Sequence, residues 1–348
     1  MYIRQAVAVC GALFVISIAS QPIWAQEEEL QEGQPQFSEN ELNDVRVLRD
    51  VINETSMGIT AAPTQFPLTW VHQSFLAEPG GNTAIFFTLA IDRSQLSTSN
   101  VGMYVRADDK SVFEMDKADP EVDPEADPEA GMVDPYAWSD VRFFEVPDDG
   151  YVMGSMAVPP GEHEVFIAIK EISTGDEEAD ALTKVSLLRH DLNAPDFSEA
   201  DQLAVSSFMV GEMEMKAPDD TKIWNRYVIG GALHIRPKLE LSFTKAEGLT
   251  LFFFIYGGQI AAQQQPDLQL SWQFYRVSPE GEETAFAAPL TQSYNAENLP
   301  GEYSGQVPAQ FGVPLEQFPA SDFRLEATVT DQSNDKMVTQ DIKFSVLE

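Results

Sequence analysis

Cysteine and basic residues are scarce in this chain of 348 residues. Its single cysteine, Cys10, lies in an apolar leading segment, so the rest of the chain forms no internal disulfide. Twenty-one Lys and Arg face 56 Asp and Glu, which gives a formal net charge of −35 at pH 7. A field of that sign repels nucleic acid and anionic membrane surfaces, and it favours cations and basic partners. We therefore expect no nucleic-acid partner.

Histidine is also scarce, and its four copies lie far apart in the sequence, at His72, His163, His190 and His234. The chain lacks the G-x-S-x-G, H-E-x-x-H, P-loop and G-x-G-x-x-G motifs. We therefore predict structural roles for the histidines, no catalytic residues and no enzymatic activity. A secreted enzyme that hydrolyses carbohydrate or peptide is the alternative, because paired carboxylates are abundant.

The leading residues 1–25 have the layout of a secretory signal peptide. A short positive start at Arg4 precedes an apolar run over 6–19, and small and turn-forming residues then lead to Ala25. The apolar run is shorter than the roughly 20 residues that span a bilayer. We therefore expect removal after Ala25 and a periplasmic or extracellular protein without stable membrane insertion. A retained membrane anchor is the alternative.

The next segment, residues 26–62, begins acidic and ends in a helix signal. Its first part is rich in Gln and Glu without an apolar period, so we predict disorder there. Ser38 and Glu41 have the spacing of a capping box, and Phe37 and Leu42 stand at the positions of a hydrophobic staple. We therefore predict a short helix that either docks on its own domain or binds a partner. Its apolar positions at helical spacing are Leu42, Val45, Leu48 and Ile52.

Two stretches of the chain, residues 158–171 and 318–331, share one pattern. Each has a proline-marked turn, an acidic residue, and then apolar residues at every second position. That alternation is typical of a half-buried strand. A polar turn and a second run follow each stretch, so we predict a duplicated β-hairpin within a duplicated domain. The positions that pair between the stretches include Glu162 with Asp322, His163 with Phe323, and Glu171 with Asp331.

The Pro-Gly-Glu turn, the alternating strand, the polar turn and the final strand resemble the closing hairpin of immunoglobulin-like or fibronectin type III-like modules. The joint between the copies, L-A-V-S-S-F-M-V followed by I-R-P and F-F-F-I-Y-G, is similar to tandem sandwich regions of uncharacterised secreted bacterial proteins. The resemblance covers most of residues 65–348. It implies a binding or scaffolding role and brings no catalytic residues. We predict an all-β fold of two tandem antiparallel Ig-like β-sandwich domains, over residues 63–192 and 193–348, with a short N-terminal helix.

The most distinctive stretch, residues 116–135, repeats Asp-Pro-Glu three times and ends on a fourth Asp-Pro. Proline at every fourth position prevents helix and ladder formation, so we predict an extended acidic loop on the first domain. Dense carboxylates suit Ca²⁺, but the tract lacks the ligand spacing of an EF-hand. We therefore expect weak, nonspecific Ca²⁺ binding and no other cofactor. The carboxylates concerned are those of Asp119, Glu121, Asp123, Glu125, Asp127, Glu129 and Asp134.

Four aromatic residues near irregular segments are the candidates for contact with a partner: Tyr136, Trp138, Trp224 and Tyr227. The first two close the acidic loop, and the other two lie in a polar, turn-rich crossing. We predict an exported, non-enzymatic binding protein of scaffold type in the bacterial cell envelope, whose partner is another envelope protein or a polymer. A Ca²⁺-stiffened spacer or adhesion module is a second alternative to the hydrolase.

Overall fold

The structure, a computed structural model, describes residues 37–111, 136–198, 202–215, 226–257, 266–295 and 306–348. Antiparallel strands dominate these residues, and one N-terminal helix precedes them. The predicted all-β class with a short N-terminal helix is therefore confirmed.

The described residues form two compact units. The N-terminal unit holds residues 37–197 and the described part of 214–234, and the C-terminal unit holds the remainder. Residues 214–215 and 226–234 fall within the predicted second domain, and in the structure they cluster with the N-terminal unit.

The N-terminal unit contains two sheets and the N-terminal helix. One sheet has the order β1-β2-β5 and the other β4-β3-β6-β7, and the apolar core lies on their facing sides. Its elements are α1 (Glu39–Ser56), β1 (Leu68–Ala77), β2 (Thr83–Ile91), β3 (Asn100–Asp109), β4 (Tyr136–Glu145), β5 (Tyr151–Val158), β6 (Gly161–Glu171), α2 (Glu177–Asp180) and β7 (Val185–Ala194). A 3-10 turn covers Arg93–Gln95.

The remaining strands are β8 (Ala204–Val205), β9 (Met209–Met215), β10 (Tyr227–Ile229), β11 (Leu233–Pro237), β12 (Ser242–Phe243), β13 (Gly248–Tyr256), β14 (Leu268–Val277), β15 (Glu283–Ala285), β16 (Leu290–Tyr294), β17 (Gln306–Pro314), β18 (Ser321–Asp331) and β19 (Lys336–Val346). In the C-terminal unit, one sheet has the order β11-β9-β13-β17, with β8 beside β13. The other has the order β12-β19-β18-β14-β15, with β16 also paired to β14.

The two stretches with the shared pattern are strands in equivalent positions. Strand β6 lies between β3 and β7, and β18 lies between β14 and β19, all antiparallel. His163 and Phe323 are both fully buried at the strand starts. Glu171 and Asp331 are both buried at the strand ends. The prediction of a strand in each stretch is therefore confirmed.

The strands β6 and β18 differ in how much of their outer face is covered. Strand β18 alternates between buried and half-buried residues, as the sequence pattern predicts. In β6, by contrast, every residue from Val165 to Glu171 is buried. The cause is α1, since Leu48 and Ile52 pack on Phe166 and Ala168 of the outer face. The prediction that β6 is only half buried is wrong for this reason.

Local signals place the helix correctly but not its buried face. The capping box forms, because the side chain of Ser38 accepts from the backbone N–H of Glu41 and the Glu41 carboxylate accepts from the N–H of Ser38. Leu42 is 45% exposed, and Phe37 packs against the ring of Phe143 at 5.5 Å, so the predicted staple is not the main apolar contact. The residues that α1 buries are Asp44, Leu48, Ile52 and Thr55. No helix within the described ranges is long and apolar enough to cross a membrane.

A buried ion pair fixes the first half of α1 to the sheet. Asp44 Oδ1 accepts from Lys170 Nζ at 2.7 Å, and its Oδ2 accepts from the backbone N–H of Ser173 at 2.8 Å. Both charged groups are almost completely removed from water. Removal of one partner would therefore leave an uncompensated buried charge, which costs several kcal/mol, about 3–5.

We expect Leu48→Ala to lower the free energy of unfolding by about 2–5 kcal/mol, because it leaves a cavity between α1 and β6. Leu42→Ala is the matched control on the same helix, and its exposed side chain predicts a change within about 0.5 kcal/mol. Chemical denaturation followed by circular dichroism measures both. Equal effects of the two substitutions would contradict the packing of α1 described above.

Candidate functional site

Only part of the predicted contact surface lies within the described residues. Tyr136, Trp138 and Tyr227 are described. The seven candidate Ca²⁺ ligands from Asp119 to Asp134 and the predicted contact residue Trp224 lie outside the described residues. The predictions about them therefore stay predictions.

Tyr136 is the first residue of β4, at the end of the sheet where residues 112–135 connect β3 to β4. It pairs with Asp108 of β3 next to an irregularity in the register of the two strands. Its side chain is 37% exposed. The guanidinium carbon of Arg106 lies 4.4 Å from the centre of the Tyr136 ring, which is a cation–π contact.

Arg106 is buried, and its charge is held by polar groups of two elements. Its Nη2 donates to Asp108 Oδ2 at 2.7 Å, and its Nη1 donates to Asn53 Oδ1 of α1, also at 2.7 Å. The guanidinium also lies 5.0 Å from the ring centre of Phe166 on β6. Such partners are required because a buried charge without them is strongly unfavourable.

Carboxylates gather around Lys110, which follows β3 at the same end of the sheet. Lys110 Nζ donates to Asp191 Oδ1 at 2.5 Å. That hydrogen bond, together with the charges of Asp191, Glu162 and Glu164, raises the pKa of Lys110. We call Lys110, Glu162, Glu164 and Asp191 the Lys110 cluster. Arg189 forms an ion pair with Glu164, so three carboxylates and two cations are grouped here. We call this the acidic end of the sheet.

The other two described aromatic candidates are half-buried or buried. Trp138 is half-buried and packs against the core of the N-terminal unit. Tyr227 is only 1% exposed, its hydroxyl lies 2.8 Å from Thr88 Oγ1, and burial raises its pKa. Tyr227, a predicted candidate for contact with a partner, is therefore buried against β2 of the same unit.

Two histidines of the N-terminal unit are packed against neighbouring side chains. Burial lowers the pKa of His72, and its Nε2 lies 3.3 Å from Ser74 Oγ. Ser74 is fully buried, whereas a nucleophilic serine needs room for a substrate beside it. The ring of His190 stacks on Trp70 at 4.2 Å, and burial lowers the pKa of His190 as well.

Among the described residues, no group of three or more His, Cys, Asp and Glu side chains is arranged to hold a metal ion. The residues that organise this end of the sheet, Arg106 and Asn53, were not among those predicted from the sequence. The sequence did contain one indication of their role. Arg106 is a charged residue within the largely apolar strand β3, and α1 carries polar residues on the face that packs against the sheet.

No protein-family model and no curated protein matches this chain. Among solved structures, it is similar to red sea bream transglutaminase, with 9% identity, a TM-score of 0.21, and coverage of 85% of this chain and 33% of that one. It is also similar to Escherichia coli alpha-2-macroglobulin activated by porcine elastase, with 11% identity, a TM-score of 0.23, and coverage of 82% and 22%. The chain spans a third or less of these structures. At such scores the likeness carries no argument about function.

We expect Lys110→Gln to raise the pKa of Asp191, because the hydrogen bond from Lys110 is the largest cause that lowers it. A carboxylate whose pKa is lowered in the folded state stabilises the protein above its ordinary pKa, and that contribution disappears as the pH falls through the lowered value. Carbon-13 NMR titration of the Asp191 carboxyl measures the shift.

Lys245→Gln is the control for this titration, since Lys245 pairs with Glu348 in the C-terminal unit. An Asp191 titration that is the same in Lys110→Gln and in the wild-type protein would contradict the proposed contact.

Proposed function

We propose that this chain is an exported, non-enzymatic binding protein of scaffold type in the bacterial cell envelope. Its partner is another envelope protein or a polymer that carries positive charge. The proposal draws on the all-β fold, on the net charge of −35, and on the way in which the buried ionisable groups are used.

The observation that carries the proposal is that buried acids and bases of the described chain hold secondary structure together. Asp44 and Lys170 join α1 to β6. The carboxylate of Glu171 accepts from the backbone N–H groups of Thr98 at 3.4 Å and Lys184 at 2.8 Å. Asp331 likewise accepts from the N–H of Ser333 at 3.0 Å. Groups that an acid–base mechanism would need at a substrate are here bonded to turns and strands.

The proposed contact surface is the acidic end of the sheet β4-β3-β6-β7. It combines the Lys110 cluster with the exposed part of Tyr136. Tyrosine is enriched at interfaces because a rigid ring covers much area at a low entropic cost. The acidic stretch 116–135 joins the same end in sequence, so the local field attracts a cationic partner.

We expect Tyr136→Ala to weaken binding of a lysine decapeptide about fivefold, which corresponds to the loss of about 1 kcal/mol at an interface residue. Tyr275→Ala is the matched control, since Arg324 lies 4.3 Å from the Tyr275 ring in a similar arrangement on the C-terminal unit. Isothermal titration calorimetry at two salt concentrations measures both affinities. Equal losses in the two variants, or equal binding of an uncharged decapeptide, would contradict the proposed surface.

The alternative of a Ca²⁺-stiffened spacer can be tested separately through the strength of Ca²⁺ binding. A ligand that binds only the folded state raises the melting temperature, so a built Ca²⁺ site would raise it at millimolar Ca²⁺. We expect a change of less than about 1 °C, as for weak and nonspecific binding. A larger rise that is lost when the seven acidic residues from 119 to 134 become amides would favour the Ca²⁺-stiffened spacer.

A further inference from the structure

One buried side chain, that of Arg106, contacts four different elements of the N-terminal unit. It lies on β3 and bonds Asp108 of that strand. It also bonds Asn53 of α1, lies under the Tyr136 ring of β4, and packs on Phe166 of β6. The helix and the first residue of β4 are therefore linked through a single guanidinium.

This connection between α1 and Tyr136 depends on the position of α1 on the sheet. Leu48 and Ile52 bury the middle of the helix on the sheet, and Asp44 anchors its first half to Lys170. Asn53 thereby reaches Arg106 from above the sheet. Within the described residues, Arg106 Nε has no hydrogen-bond partner. The charge of Arg106 therefore relies on its two Nη groups, and one of those bonds belongs to the helix.

The C-terminal unit contains a similar pair of side chains that needs no helix. Arg324 lies against Tyr275, and it bonds Glu283 and Glu326, which lie on strands of the same sheet. Its partners are therefore fixed by the sheet alone. In the N-terminal unit, by contrast, one of the two hydrogen-bonding partners of the arginine is supplied by α1.

We propose that Arg106 is a positioning residue that couples the docking of α1 to the orientation of Tyr136, and therefore to binding at the acidic end of the sheet. The inference has two parts, the orientation of Tyr136 and its effect on binding. The effect on binding, which we call the binding half, rests on the proposed function. The orientation of Tyr136, the orientation half, rests on the contacts of Arg106 alone. By reciprocity of linked equilibria, a partner that binds the oriented Tyr136 also stabilises the docked helix.

The test uses the full chain with Asn53→Ala, which removes the acceptor for Arg106 and keeps the helix and its apolar contacts. We expect the ring NMR signals of Tyr136 to shift, and binding of the lysine decapeptide to weaken at least about threefold. Asn53→Asp keeps an acceptor oxygen and restores both readouts. Asn43→Ala, an exposed position on the same helix, changes neither.

A second measurement follows the coupling in the opposite direction. In the wild-type protein, saturating decapeptide slows amide exchange of residues 50–56, and in Asn53→Ala it does not. Unchanged Tyr136 ring signals in Asn53→Ala would overturn the inference. Shifted ring signals with an unchanged affinity would overturn its binding half alone. If the decapeptide does not bind the wild-type protein, the proposed function fails while the ring signals still decide the orientation.

Discussion

The packing of α1 on the outer face of β6 is the constraint on which the N-terminal unit depends. It buries the strand on both faces, so polar groups at the contact must find partners there. Asp44 with Lys170, and Asn53 with Arg106, supply them at the two ends of the helix. The apolar contact between these pairs stabilises the docked helix, and the polar pairs fix its position along the sheet.

The same strand position in the C-terminal unit shows what the helix changes. The outward residues of β18 are Arg324, Glu326, Thr328 and Thr330, which remain partly exposed. Those of β6 are Glu164, Phe166, Ala168 and Lys170, of which the last three are buried. The apolar alternation that β6 and β18 share therefore does not predict the helix. The residues between those apolar positions do, because they are partly apolar in β6 and polar in β18. When one face of a sheet already packs on the core, apolar residues on its other face need a second element to bury them.

Local patterns predicted the elements well, and long-range contacts decided the rest. The capping box of α1 and the strands β6 and β18 follow from residues close together in sequence. The burial of Tyr227 depends on Thr88, which lies 139 residues away. The bond between Arg106 and Asn53 spans 53 residues, and neither residue has a motif around it. Tyr136 could be predicted as a contact residue because it follows the acidic stretch in sequence. The Arg106 guanidinium beneath its ring could not be predicted in this way.

The scarce basic residues have a physical consequence for the surface. Lys170 and Arg106 are buried in the contact with α1, and Lys110 and Arg189 are paired with carboxylates at the acidic end. Each of these four cations is paired with a carboxylate, so each pair has no net charge and projects little field outward. The formal net charge of −35 is therefore carried by the acidic residues that remain beyond these pairs. The cationic partner that we propose for Tyr136 would meet this negative net charge, which favours positive charge before any specific contact forms.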